Sequence, residues 1–282
     1  MSKSVQPAEP KPLRVTKSNS LIGASYRLTL NEQRLLLAAI SRIDPRRMMP
    51  KRISVSAVDY AEIYNVPLRH AYQQMKSAAD ELYDRDLKTY DGKGLERKRW
   101  VDRAMYLEGE GRVELNFTTH VIPYLTMLAK KVTSYDLRRV ACLDSSHSIR
   151  LFEMLMQFKS TGWAYYTIDV LRTSLGLSEA YSRFNNLRQR VIDPSVAELR
   201  AKSNLDISYT LISSGRKTIA IRFEFSDLAQ LPLNLSDEEL PPLTDFETID
   251  GEWLMSQSMG ELADAEDAGL LFTEPDEPEQ SP

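Results

Sequence analysis

The segment that most limits what this chain can fold into runs from residue 53 to residue 117. Ile53 and Val55 alternate with polar neighbours as a short strand does, and Ser56 with Asp59 three residues on has the form of a helix N-cap. The short helix so predicted ends at Asn65. Pro67 then stands where a first helical turn tolerates proline, and a longer helix is predicted over 68–85 with Tyr72, Met75, Ala79 and Leu82 on its buried side. Short helix, tight turn and long helix make a helix-turn-helix. Segments 87–90, 100–107 and 113–117 follow as strands cornered by Gly92, Gly94, Gly109 and Gly111, the pattern of a wing.

The same order returns about 110 residues later in the chain. Ser145 and Ser146 precede a helix with Ile149, Phe152, Leu155 and Met156 on its apolar stripe, as the stripe Leu30, Leu35, Leu36, Ala39, Ile40 and Ile43 precedes the first unit. Segment 165–168 reads as a strand, Asp169 as the cap of a short helix ending at Gly176, 181–200 as a long helix, and 205–212 with 217–225 as a hairpin around Ser214 and Gly215. Ala71-Tyr72 even recurs as Ala180-Tyr181. The fold class expected is α+β, two tandem winged-helix domains. Their predicted bounds are 21–132 and 133–226, after a disordered N-terminal arm over 1–20 that carries Pro7, Pro10 and Pro12, and before an acidic tail over 227–282. Leu21, Leu28 and Leu35 fall seven apart, but three positions crossing a helix start are too few to establish a zipper.

Charge is divided as sharply as structure. The whole chain has a net charge of −4, yet residues 227–282 hold 16 Asp or Glu and no Lys or Arg, which leaves 36 basic against 24 acidic residues in the rest, a net of +12. A body so basic sets up the positive field that a polyphosphate needs. The chemistry of the second long helix narrows this to duplex DNA. Phe184, Leu187 and Val191 face its core, while Arg183, Asn186 and Arg190 lie three and four apart on another face, flanked by Asn185 and Gln189. Arg can bridge O6 and N7 of guanine, and Asn or Gln N6 and N7 of adenine, so these five are the candidate base readers. Pro194 is expected to kink the helix behind them. Arg188, and Arg216 and Lys217 in the second wing, are candidate phosphate contacts; so are Arg69, His70, Gln73 and Lys76 on the first long helix and Arg97, Lys98 and Arg99 in the first wing region. Asp80 and Glu81 would repel phosphate from the later turns of that first helix, which favours backbone positioning there over base reading.

Enzymatic classes are disfavoured by inventory. Gly92-Lys93 has no glycine at the spacing a phosphate-cradling loop requires, so no ATPase motor is indicated and no cofactor is expected. His70, His120 and His147 are scattered, without the paired histidines that would hold the metal of a tyrosine nickase; no metal site is expected. Cys142, the only cysteine, reads as core filler. No apolar run approaches the roughly 18 residues of a membrane span, and no signal segment is evident, so a cytoplasmic protein without a membrane partner is expected.

Several longer runs carry a family likeness. Lys17-Ser18-Asn19-Ser20-Leu21-Ile22, Leu30-Asn31-Glu32-Gln33-Arg34-Leu35, the stretch 117–128, Thr133-Ser134-Tyr135-Asp136-Leu137, Ser148-Ile149-Arg150-Leu151-Phe152-Glu153-Met154-Leu155, and Arg190-Val191-Ile192 with Pro194 resemble the iteron-binding plasmid replication initiators of the RepA, RepE and pi type. The likeness covers about residues 14–226. It implies a protein that binds directly repeated origin DNA as a monomer, the second module reading bases and the first engaging the backbone. It also implies melting of adjacent A·T-rich DNA, recruitment of the host initiator and replicative helicase, and a dimer, paired through the first module, that represses its own gene. A dedicated repressor on the same frame and a rolling-circle nickase are the competing readings. The tail lies outside the family pattern. Its Leu270-Leu271-Phe272 resembles the end of a sliding-clamp-binding peptide, but the glutamine expected two positions before Leu270 is Ala268.

Overall fold

The computed structural model describes residues 13–90, 94–128, 131–177 and 180–228. Strand β1 (Arg14–Ser18) and the short helix α1 (Asn19–Gly23) open it, followed by α2 (Leu30–Ile40), β2 (Ile53–Ser56), α3 (Ala57–Tyr64) and α4 (Leu68–Asp84). Four strands come next, β3 (Asp86–Tyr90), β4 (Leu95–Arg99), β5 (Val101–Leu107) and β6 (Arg112–Phe117), and then β7 (Val132–Asp136), α5 (Arg138–Ala141) and α6 (Ser146–Met156). The chain continues through β8 (Trp163–Thr167), α7 (Ile168–Ser174), α8 (Phe184–Leu187), a π-helical turn (Arg188–Ile192), α9 (Asp193–Lys202), β9 (Leu205–Ser214) and β10 (Lys217–Asp227).

The two winged helices share one topology. In the first, the strand before the helix-turn-helix pairs with the last strand of the wing, giving the sheet order β2-β6-β5; in the second the same rule gives β8-β10-β9, all antiparallel. Local signals set the helix ends as the sequence implies. Thr29 and Glu32 form a reciprocal capping box on α2, Ser56 accepts from the Asp59 amide at 3.0 Å, and Asn65 closes α3 in the left-handed conformation at φ 50°. The charged stretch 95–99, expected only as a phosphate-binding wing region, is a regular strand: β4 pairs with β3 in an additional hairpin in front of the first wing.

Four expectations change. Residues 14–18 are not part of an arm: Val15 and Lys17 are fully buried, and β1 pairs along its whole length with β7. Residues 1–12 of the expected arm and 229–282 of the tail lie outside the described residues. The boundary expected at 132 falls at the start of β7, inside that two-stranded sheet. α6 continues the joint, since every residue from Ser148 to Met156 is buried and the helix packs on α1 at one side and α9 at the other. Thr167, not Asp169, caps α7, accepting from the Val170 amide at 3.3 Å. Cys142 is exposed rather than core.

α2 is also more deeply enclosed than a single stripe predicts, with Glu32 through Ile40 all buried. Its two charged groups find partners: Arg34 donates to the Leu143 carbonyl at 3.0 Å, and Glu32 pairs with Arg85 at 2.7 Å, whereas the buried Gln33 carboxamide has no hydrogen-bond partner among the described residues. Leu21, Leu28 and Leu35 all lie in the core.

Candidate nucleic-acid interface

The second helix-turn-helix is held by its backbone ahead of the candidate base readers. Gly176, at φ +67°, ends α7, and Tyr181 takes a left-handed φ of 56°, so a helix cannot begin at 181 as the periodicity predicts. It begins at Phe184, with the Arg183 carbonyl accepting from the amides of Asn186 (3.0 Å) and Leu187 (3.3 Å). Arg172 on α7 donates to the Ser182 carbonyl at 2.8 Å and so ties the short helix to the lead-in of the long one. Leu187, Val191 and Ile192 are buried and fix which side of this helix faces the core.

On the other side Arg183, Asn185, Asn186, Gln189 and Arg190 are all exposed, and none of their side chains makes a hydrogen bond or ion pair among the described residues. Arg183 stands in extended conformation at the N-cap, one residue ahead of the helix. Pro194 occupies the first turn of α9, and the Asp193 amide reaches back to the Arg188 carbonyl, which widens the preceding turn to π geometry. The wider turn shifts Arg190 from the strict three-and-four spacing expected of a regular helix. Arg188 is half-buried and lies 3.7 Å from Asp193.

The second wing carries its charge at the tip. Gly215 turns the hairpin at φ 57°, and Arg216 and Lys217 beside it are exposed without a side-chain partner among the described residues. The first module differs. Arg97 is paired with Asp86, and Arg99 lies 3.6 Å from Asp84, donates to the Tyr83 carbonyl and covers the Tyr83 ring. Lys98 is buried, reaching Glu96 at 2.6 Å, Thr89 at 2.9 Å and Tyr124 at 3.0 Å, which corrects its reading as a phosphate contact: β4 turns it inward. On α4, Arg69, His70 and Gln73 are exposed, Arg69 donating to His70 at 3.0 Å and Gln73 to Ser77 at 3.4 Å, while Lys76 leans over the Tyr106 ring. Asp80 accepts from the Tyr106 hydroxyl, and Glu81 lies 3.7 Å from Arg85. The candidate contacts without a side-chain partner among the described residues therefore all lie in the second module. Among the described residues there is no cluster of His, Cys, Asp or Glu that could hold a metal ion, and no helix long and apolar enough to cross a membrane.

A tandem pair of winged helices with an open polar face on the second long helix is the frame on which comparison with known proteins decides the family. The family described as initiator replication protein, first winged helix, matches residues 14–156, and the Rep initiator second winged helix matches residues 167–225. The chain belongs to the Rep initiator family. A replication initiation protein of Escherichia coli is 29% identical over 223 residues, covering 75% of this chain and 69% of its own. An uncharacterized 27.6 kDa protein of the same organism is 26% identical over 226 residues, covering 75% of this chain and 95% of its own. The fold is that of the pi initiator protein, whose crystal structure was solved in complex with iteron DNA. This Rep initiator superposes on it with a TM-score of 0.68 at 20% identity, over 78% of its length and the whole of the pi chain. The first matched range ends after α6, where the expected boundary stood 24 residues earlier.

Reading the sequence misses the side chains that tie this Rep initiator's second helix-turn-helix to its neighbours. Arg172 gives no local signal beyond its place in a last helical turn. Arg150 and Glu153 do give one: an Arg and a Glu three apart inside the apolar run of α6, where the stripe alone would leave them to solvent and the structure buries both.

Proposed function

We propose that this Rep initiator binds tandemly repeated duplex sequences, iterons, at a plasmid origin as a monomer. It reads bases with Arg183, Asn185, Asn186, Gln189 and Arg190 and grips phosphates with Arg188, Arg216 and Lys217. The observation that carries the reading is that those five side chains, at the N-cap and on the helix that follows the short helix α7, are exposed and without a partner among the described residues, within the range matched as the second winged helix. Guanidinium and carboxamide groups kept free of internal partners can give their full donor sets to base edges. The first module engages the neighbouring groove mainly through backbone contacts from Arg69, His70, Gln73 and Lys76. Binding free energy, with the host initiator and replicative helicase recruited to the bound copies, opens the adjacent duplex. As a dimer the protein represses its own gene.

Footprinting the full chain on the DNA that flanks its gene tests this. Two modules in successive major grooves should protect about 20 base pairs per copy, repeated head to tail. Protection confined to one inverted repeat at the promoter would instead support a dedicated repressor. A covalent adduct with supercoiled DNA and a divalent metal would support a nickase.

A further inference from the structure

Arg150 sits where the two winged helices are joined. Its side chain is 3% exposed, and its guanidinium reaches the carbonyls of Ile22 at 2.7 Å and Ala24 at 3.1 Å, at the end of α1, and of Ser174 at 2.8 Å, the last residue of α7. It also stacks 3.8 Å from the centre of the Tyr26 ring, donates to the Tyr26 hydroxyl and lies 3.3 Å from Glu153. The last carbonyls of a helix lack intrahelical donors and carry partial negative charge. Two such ends, one from each winged helix, converge on this cation, and a guanidinium has the several fixed N–H groups needed to serve both.

Backbone closes the same joint. Ser174 Oγ donates to the Gly23 carbonyl at 3.3 Å, and Gly176, at φ +67°, comes so near Tyr26 that a Cβ there would stand 2.4 Å from the Tyr26 carbonyl oxygen. Glu153 fixes Arg150 in turn, being itself held by Lys17 of β1 at 2.6 Å and by the Tyr135 hydroxyl of β7 at 2.5 Å. From Ser174 the constraint runs along α7 to Arg172, and from Arg172 to the Ser182 carbonyl immediately ahead of Arg183. A buried guanidinium parted from its carbonyls would have no water to replace them, so the ends of α1 and α7 separate only at high cost.

We propose that Arg150 is a positioning residue for DNA binding. It locks the second helix-turn-helix to the N-terminal segment of the first winged helix, so that both modules meet the duplex in one fixed register. This rests on the reading of a two-module DNA binder given above. Two rigidly joined modules bind the second groove as an intramolecular step, whereas loosely joined modules lose much of that gain.

The test uses duplexes selected by the full chain from a random pool, compared with the same duplexes cut back to the half that the second module protects. In Arg150→Met, affinity for the complete duplex should fall by about tenfold or more, while affinity for the half duplex stays within about twofold. Equal losses on both duplexes, as a merely structural role would give, or no loss on either, would overturn the proposal. Gly176→Ala strains the same joint without touching the charges and should show the same selective loss, which keeps the question open to experiment if Arg150→Met does not fold. Without DNA, spin labels at Glu62→Cys and Thr210→Cys in a Cys142→Ser background should report a narrow distance distribution that broadens in either variant. An unchanged width overturns the proposal even if no sequence is selected, an outcome that would by itself defeat only the replication reading.

Discussion

Replacing Lys17 by methionine isolates the charge buried between β1 and α6. Lys17 Nζ lies 2.6 Å from Glu153 Oε1, with the two side chains 1% and 0% exposed. Methionine fills most of the aliphatic stem, so little of the effect should come from a cavity. What is removed is the cation facing a carboxylate that cannot reach water. Breaking a buried pair from one side costs about 3–5 kcal/mol. Glu153 keeps Arg150 at 3.3 Å and the Tyr135 hydroxyl at 2.5 Å, which places the expectation at the lower end, about 3 kcal/mol. For a body of this size that corresponds to a melting midpoint lower by roughly 6–12 °C. Denaturant unfolding at neutral pH measures the loss, and Lys17→Met/Glu153→Gln should recover at least about 1 kcal/mol of it, because the carboxylate is then gone as well. Burial alone would raise the Glu153 pKa, but Lys17 and Arg150 override it and hold the carboxyl below its ordinary value of 4.5. A group with a depressed folded pKa stabilises fully above its unfolded pKa and loses that contribution as pH falls through the folded value. Acid unfolding should therefore begin at a higher pH in Lys17→Met than in the wild type. A single-mutant loss under about 1 kcal/mol, or strictly additive effects in the double mutant, would refute the account of Glu153 as a carboxylate held ionised by Lys17.

Arg183→Ala and Arg190→Ala remove exposed side chains with no partner among the described residues, so stability should stay within about 0.5 kcal/mol, while binding to the selected site weakens by about 1–3 kcal/mol and specificity relaxes. Equal weakening on unrelated sequences in a competition assay would count against base reading. Lys217→Ala should lower the slope of log affinity against log salt by about one unit, whereas Lys98→Ala should leave the slope alone and lower the melting temperature, since Lys98 serves Glu96, Thr89 and Tyr124. Ending the chain at Leu228 removes 15 Asp or Glu and no Lys or Arg, and nonspecific affinity should rise at low salt and converge with the full chain at high salt. No difference at low salt would show that the tail does not screen the body.

Much of the fold is legible in the sequence because each winged helix announces itself locally. Caps at Thr29, Ser56 and Ser145, the left-handed stop at Asn65 and the glycines of the turns are all short-range chemistry. What sequence cannot supply is pairing between distant segments. Residues 14–18 read as part of a proline-containing arm because their strand partner is β7, more than a hundred residues away. The second long helix starts at 184 and not at 181 for a related reason: Arg172 and the left-handed Tyr181 set the entry, and neither has a periodic signature. The exposed polar row of that helix is legible from residue type and spacing. The burial of Lys98 is not, because its inward turn depends on the unrecognised strand β4.

The net charge of +12 outside the tail already deducts the 24 acidic residues there, and what DNA can use depends on where the cations without a carboxylate partner stand. In the first winged helix Arg42 pairs with Asp59, Arg85 with Glu32, Arg97 with Asp86 and Lys98 with Glu96. A cation already beside a carboxylate gains little from a phosphate, because the carboxylate must be displaced or left without its partner. At the second winged helix, Arg183, Arg190, Arg216 and Lys217 are exposed and unpaired among the described residues. Four cations neutralising four phosphates give a log–log salt slope of about −3.6, against about −11 if all twelve excess charges took part. The measured slope for specific binding should therefore lie near the smaller figure, shifted by whatever Arg188 and the α4 residues add. A slope near −11 would mean that cations outside the second module, among them the exposed Lys51, Lys88 and Arg103 of the first winged helix, also meet phosphates and share the electrostatic part of binding.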